Sequence, residues 1–154
     1  MSPSGDFWFG LDNIHTLCNE NISCQLRVDL TYNHSHYHAM YREFRVAGED
    51  DLFRLTIHGY SGTAGDAMAE TAFFNHGKLL ENLDGMAFTT TDMDNDLLSG
   101  NNCGYLYGGW WHRSCSLSRL NGDWADSYTY GLVWSPLTGI YSVSKSEMKV
   151  RHMF

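Results

Sequence analysis

The sequence predicts an α+β fold: a central twisted antiparallel sheet with short helices, followed by an irregular, loop-rich region. Three observations carry this. Apolar residues alternate along three segments of the N-terminal half, which is strand spacing. Fifteen glycines against two prolines mark many tight turns and argue against a helix bundle. Beyond Asp92 periodicity fades, and glycine, tryptophan and tyrosine dominate. The length of 154 residues suits one domain with its own core. A composition of 43% hydrophobic and 18% charged residues describes a packed globule rather than a disordered chain.

The elements follow in order. In "FWFGLDNIHTL" the residues Phe7, Leu11, Ile14 and Leu17 recur at helical spacing, predicting a short amphipathic helix over about 10–17. In "CQLRVDLTY" Leu26, Val28 and Leu30 share one face of a strand. "YHAMYREFRVAGE" and "DLFRLTIHGYSG" continue that alternation and end in glycine turns, so the three segments form an antiparallel sheet. The stretch 64–88 is less regular and is expected to hold a short helix and loops. "SEMKVRHMF" returns as the last strand. The single domain then divides into a central sheet region, about 1–85, an irregular, loop-rich region, about 86–145, and the returning strand, 146–154.

Charge and cysteines exclude several function classes. The formal net charge is −8 and the ten Lys and Arg are scattered, so no basic stripe offers counterion release to a nucleic acid or attraction to an anionic membrane. No apolar run is long enough to insert across a bilayer. The opening "MSPSGDFWFG" carries no leader pattern and reads as a start set against the edge of a domain. Four cysteines fall into two close pairs, Cys18 with Cys24 and Cys103 with Cys115. Neither pair has C-x-x-C spacing, which counts against zinc and thioredoxin-like chemistry. The sequons Asn21-Ile22-Ser23 and Asn33-His34-Ser35 are compatible with secretion. The chain reads as a secreted, extracellular domain with two local disulfides.

Several patterns carry chemistry on their face. Asp92, Asp94 and Asp96 alternate, which is costly unless a cation or solvent screens the carboxylates. Leu97 stands where an EF-hand needs glycine and Cys103 where it needs glutamate, so this is no EF-hand. A different calcium site, with the carbonyls of Leu98 and Gly100 added, and a solvated acidic turn both remain open. His34, His36 and His38 alternate and on a strand would share one face, an exposed polar face or a transition-metal site. His58, Ser61 and Asp66 suggest a hydrolase, but "GYSGT" does not match the nucleophile elbow G-x-S-x-G. Trp8, Trp124 and Trp134 are expected as core anchors, Trp124 being the one placed to serve a binding loop instead.

The runs "DMDNDLLSGNNC", "GGWWHRSC", "LNG" and "YSVSKSEMKVR" resemble the fibrinogen C-terminal, or fibrinogen-related, domain family. Earlier segments agree: "GDFWFGLDNIH", "LRVDL", "YREFRV" and "RLTIHGYSGTAGDA". The family includes fibrinogen chain ends, ficolins, tachylectins and related innate-immune lectins. Its N-terminal subdomain, with a cysteine pair of its own, has no counterpart here. The resemblance implies a calcium ion beside the ligand pocket, held by the carboxylates of Asp94 and Asp96 and the carbonyls of Leu98 and Gly100. Asp92 would be a near neighbour. It also implies a Cys103–Cys115 disulfide and, from the lectin members, a cis Ser114–Cys115 peptide bond. That turn would aim backbone N–H groups at the carbonyl of an acetyl group, whose methyl needs an apolar slot.

The pocket residues so implied are Tyr107, Ser114, Cys115, Ser116, Tyr128, Thr129 and Ile140. Trp110 and Trp111 match the family's tryptophan pair, as core support with the second able to reach the pocket. Ser116 stands where lectin members carry histidine, Ile140 where they carry an aromatic or charged wall, and the loop 122–131 is shorter than in ficolins. Cys18 and Cys24 have no family counterpart and read as a local bridge. The resemblance thus implies a calcium-stabilised, non-catalytic pattern-recognition lectin domain for acetylated or other microbial glycans, multivalent through an oligomer of the parent protein. The alternative is a protein-interaction module that takes a peptide terminus or receptor in the same pocket, with Asp123 and Asp126 as the carboxylates nearest to hand.

Overall fold

The structure is a computed structural model and describes residues 7–69 and 82–153. Helix α1, Leu11–Leu17, is followed by strands β1, Cys24–Tyr32, and β2, Ser35–Val46. Then come a 3-10 turn at Glu49–Asp51 and strand β3, Leu55–Gly62. The second half holds helix α2, Cys103–Tyr107, the two-residue strands β4, Ser118–Arg119, and β5, Val133–Trp134, helix α3, Ser135–Thr138, and strand β6, Lys145–His152. Of the stretch 64–88, where a short helix and loops are expected, residues 70–81 lie outside the described residues, and the rest, 64–69 and 82–88, forms no helix.

The main sheet is antiparallel with the order β3-β2-β1-β6. The alternating residues do what their spacing predicts: Leu26, Val28 and Leu30 are buried, and β2 and β3 add Ala39, Tyr41, Phe44, Leu55 and Ile57 to the same face. Burying each of the larger side chains contributes about 1.5–3 kcal/mol. The segment around Glu147 indeed returns to the sheet, pairing Met148 with Val28. Between β1 and β2 the turn is Asn33-His34, both with positive φ, 49° and 64°. Two left-handed residues form the tight hairpin turn whose twist matches the flanking strands. His34 therefore leaves the strand, and only His36 and His38 stay on β2, each beside a threonine hydroxyl, Thr31 and Thr63. The three histidines do not assemble a ligand set.

Loops from the second half pack onto the sheet through tryptophans whose N–H groups all find partners, as buried indoles require. Trp111 Nε1–H donates to the carbonyl of Phe53, Trp134 to that of Gly65 and Trp110 to Ser118 Oγ. Trp111 meets Phe44 and Phe88 edge-on and touches Trp110. It is completely buried, so it serves the core and does not reach a pocket. Sheet and loops share one continuous core. Trp8 stacks on Phe88 at its rim, and Trp134 lies in its interior. Trp124, the tryptophan set apart on its loop, is 80% exposed and anchors no core. The hydrolase triplet is likewise dispersed. Asp66 Oδ1 accepts from Tyr41 OH and from the N–H groups of Met68 and Ala69, while His58 faces Asp84.

Candidate binding site

The acidic loop, 92–102, is folded onto its own backbone. Asp94 Oδ1 accepts from the Asp96 N–H, Asp96 Oδ1 from Leu98 and Asp96 Oδ2 from Cys103. Asp92 turns the other way and accepts from Thr90 Oγ1, a bond that holds its carboxyl below the usual range. Asp96 behaves oppositely. Burial, reinforced by the neighbouring Asp94 charge, raises its carboxyl above the usual range despite two backbone N–H bonds that favour ionisation. Among the described residues no donor reaches the carbonyl oxygens of Leu98 or Gly100. Two carboxylates, one raised by the charge of the other, and two carbonyls without a protein donor among the described residues are the oxygen donor types that a hard cation such as calcium takes, with waters completing the shell. The residues present fit that ion. Among the described residues, neither this loop nor any other place brings three or more His, Cys, Asp or Glu side chains together, so an ion here would depend on the two carboxylates with backbone carbonyls and water.

The loop runs directly into α2. Asn102 caps this helix, accepting from the Tyr105 N–H, while its amide donates to the carbonyls of Thr90 and Thr91. Cys103, the first helical residue, is bonded to Cys115, and Cys18 is bonded to Cys24. The Ser114–Cys115 peptide bond is cis. At this turn the N–H groups of Cys115 and Ser116 donate to no group among the described residues, although the Cys115 carbonyl accepts from Arg113. Both N–H groups thus lack a protein acceptor among the described residues.

Behind the turn lies a residue that the motif comparison passed over. His112 is completely buried, with Nε2 against the Gly108 carbonyl at 2.9 Å and Nδ1 against Ser116 Oγ at 2.8 Å. A carbonyl only accepts, so Nε2 carries the proton. Burial, aided by the Arg119 charge, pushes the imidazole down to about 4. Gly108 has φ of 83° and its α-carbon lies tight against the Asn121 backbone, so only glycine fits there. Ser116 is therefore an interior polar bridge, its hydroxyl also reaching the Ser118 carbonyl.

Tyr107, the last residue of α2, is half-buried between two partners. Tyr130 stacks on it at 5.7 Å between ring centres, and the Arg119 guanidinium lies 4.2 Å from its ring centre. The loop 122–131 is closed by the Asp123 N–H donating to the Tyr130 carbonyl and by Gly131 donating to Tyr128. Tyr128 pairs with Tyr141, next to the exposed Ile140, at 5.4 Å, and Thr129 is half-buried between the two tyrosines. The structure thus joins Tyr107 to Ser116 through His112 and sets Tyr128 beside Ile140-Tyr141. Asp123 and Asp126 each cap a turn of their own loop. His112, Arg119, Tyr130 and Tyr141 are the additions; the alternation Tyr128-Thr129-Tyr130 was the signal available for one of them.

Comparison with known proteins agrees with this architecture. The family model described as the C-terminal globular domain of fibrinogen beta and gamma chains matches residues 2–153. The chain is similar to fibrinogen C domain-containing protein 1 of Xenopus tropicalis, 37% identical over 159 residues, covering 96% of this chain and 32% of that protein. It is similar to fibrinogen-like protein A of Apostichopus parvimensis, 38% identical over 153 residues, covering 96% of this chain and 50% of that protein. It spans about a third of the length of the first of these relatives. Among solved structures it resembles the fibrinogen-like globe domain of human ANGPTL6, with a TM-score of 0.83 at 31% identity, covering 100% of this chain and 67% of that one. It also resembles lamprey fibrin D-dimer in complex with the peptide Gly-His-Arg-Pro-amide, with a TM-score of 0.84 at 30% identity, covering 97% and 51%. The family's domains are binding modules rather than catalysts. Two disulfides, and among the described residues no helix long and apolar enough to cross a membrane, fit an extracellular setting. This chain belongs to the fibrinogen C-terminal domain family.

Proposed function

We propose that the chain is a calcium-stabilised recognition domain that binds acetyl groups on surface glycans, including those of microbes, as a secreted pattern-recognition lectin. The observation that carries the reading is the pair of unpartnered N–H groups at Cys115 and Ser116 in the segment that His112 ties to Tyr107 and its stacked tyrosine. An acetamide asks for a donor to its oxygen and an aromatic surface for its methyl. Calcium held by Asp94, Asp96 and the carbonyls of Leu98 and Gly100 would neutralise the paired carboxylates and order the segment leading into α2. Open sites of this kind bind weakly one at a time, so the domain works in a multivalent assembly.

The test is binding of the chain, displayed multivalently, to N-acetylated and matched non-acetylated sugars, first in calcium and then in EDTA. Binding inhibited by free N-acetyl sugars, and lost in EDTA and in Tyr107→Ala, is the expected result. Binding indifferent to acetylation defeats the reading. A second reading, capture of a peptide amine, draws on the peptide complex of lamprey fibrin and on the carboxylates of Asp123 and Asp126 in the neighbouring loop. It predicts instead that a peptide with a free N-terminus binds and that Asp126→Asn weakens it.

A further inference from the structure

A concavity of about 290 Å3 lies between the β1–β2 turn and the loop 122–131. Tyr32 and Asn33 form one wall, Trp124 and Asp126 the other, and Ser142 and Ser144 also line it. None of the residues assigned to the acetyl site lines it. Two features of its rim belong together. Asn33 is the first residue of the tight turn, exposed, and its amide pairs with no group among the described residues. With His34 and the exposed Ser35 it forms an Asn-x-Ser sequon. Opposite stands Trp124, 80% exposed, a large apolar ring left in water with no ring partner among the described residues.

We propose that Asn33 carries an N-linked glycan whose first sugars lie in this groove against Trp124. The weakly positive C–H face of a sugar ring matches the negative face of an indole, and a glycan rooted on one wall meets the other wall at high effective concentration. Trp124 then shields the domain's own modification and is not a wall of the ligand site. The proposal rests on the extracellular reading, since the modification is made in the secretory pathway. In the transfer, Asn33 Nδ2 bonds to the anomeric carbon of a lipid-pyrophosphate-linked oligosaccharide. The bond from that carbon to the pyrophosphate oxygen breaks, the lipid pyrophosphate leaves and the amide gives up one proton; nothing is oxidised or reduced.

The experiment secretes the whole chain from eukaryotic cells behind a cleavable leader and maps glycopeptides by mass spectrometry. Ser35→Ala and Asn33→Asp serve as unmodified comparators, since aspartate tolerates the left-handed turn conformation. Hydroxyl-radical footprinting then reads oxidation at Trp124. The expected result is a glycan at Asn33 and Trp124 oxidation roughly halved relative to Ser35→Ala, because stacking covers one of the two ring faces. An unmodified Asn33 overturns the proposal, and so does a glycan that leaves Trp124 oxidation unchanged. Both readouts are independent of ligand binding, and Ser35→Ala should bind acetylated surfaces like the unaltered chain, so the two readings fail separately.

Discussion

Acidification from neutral pH to about 4 should cost the protein about 3 kcal/mol of folding stability through His112 alone. The ring is completely buried and its imidazole is pushed down from the ordinary 6.5 to about 4, a separation worth about 3 kcal/mol at roughly 1.36 kcal/mol per pH unit. Because the folded value lies below the unfolded one, the unfolded chain binds the extra proton first. The contribution is fully present above 6.5 and is lost as pH falls toward the folded value. For a chain of this size the loss corresponds to a Tm lower by roughly 6–12 °C. One effect opposes it. With the ring neutral, Nδ1 accepts from Ser116, whose single hydroxyl hydrogen then cannot also reach the Ser118 carbonyl. An imidazolium would satisfy all three partners. That gain is a hydrogen bond of about 1 kcal/mol, smaller than the penalty for burying the charge beside Arg119.

The assay is denaturant unfolding across this pH range for the unaltered chain and for His112→Gln, with the ring titrated by NMR in the unaltered chain. Other carboxylates titrate in both proteins, so the difference between the two curves isolates the imidazole. Curves that fall in parallel between pH 6.5 and 4, or a ring that titrates near 6.5, would refute the argument.

Three further outcomes can be measured on the same material. Calcium at about one hundred times its dissociation constant should stabilise the fold by about 2.7 kcal/mol, raising Tm by roughly 5–11 °C; Asp96→Asn should remove most of that gain, and a calcium-indifferent melt would contradict the assignment of the loop. Tyr41→Phe deletes the donor to Asp66 while Met68 and Ala69 keep theirs, so chemical denaturation should show a loss of about 1 kcal/mol, and no change would mean the buried hydroxyl is dispensable. Replacing Cys103 and Cys115 together by serine opens a ring closed across 12 residues and should lower stability by about 3 kcal/mol on the chain-entropy account, readable as a shifted denaturant midpoint at unchanged slope.

The sheet was legible because its inward residues obey a period of two and lie within continuous strands. Leu26, Val28 and Leu30 needed no partner to be recognised as one face. The histidine alternation failed for a local reason. Asn33 and His34 adopt the left-handed turn that a tight hairpin demands, and a polar alternation contains no signal for where a strand stops. Tryptophan content was equally silent about placement. Trp111 and Trp124 are chemically alike, yet one anchors the core and the other meets solvent, a difference set by which loop folds over which.

The turns of the acidic loop close on neighbouring residues, Asp94 to Asp96 and Asp96 to Leu98 and Cys103, so its local folding is contiguous in the sequence. The interior of the proposed site was not legible, because His112 acts through Gly108 and Ser116, four residues to either side, in a segment with no helix to announce that spacing. Its consequence bears on specificity. Ser116 takes the position where lectin relatives were expected to carry an imidazole, and an imidazole is nonetheless present one layer deeper, bonded to that very serine. Being completely buried, it cannot contact a ligand; it can only hold the Ser116 hydroxyl inward. On the proposed acetyl reading, polar selection then falls to the backbone N–H groups of Cys115 and Ser116, which would take a carbonyl oxygen whatever sugar bears it. A domain built this way should read the acetyl group and be tolerant of the ring to which it is attached.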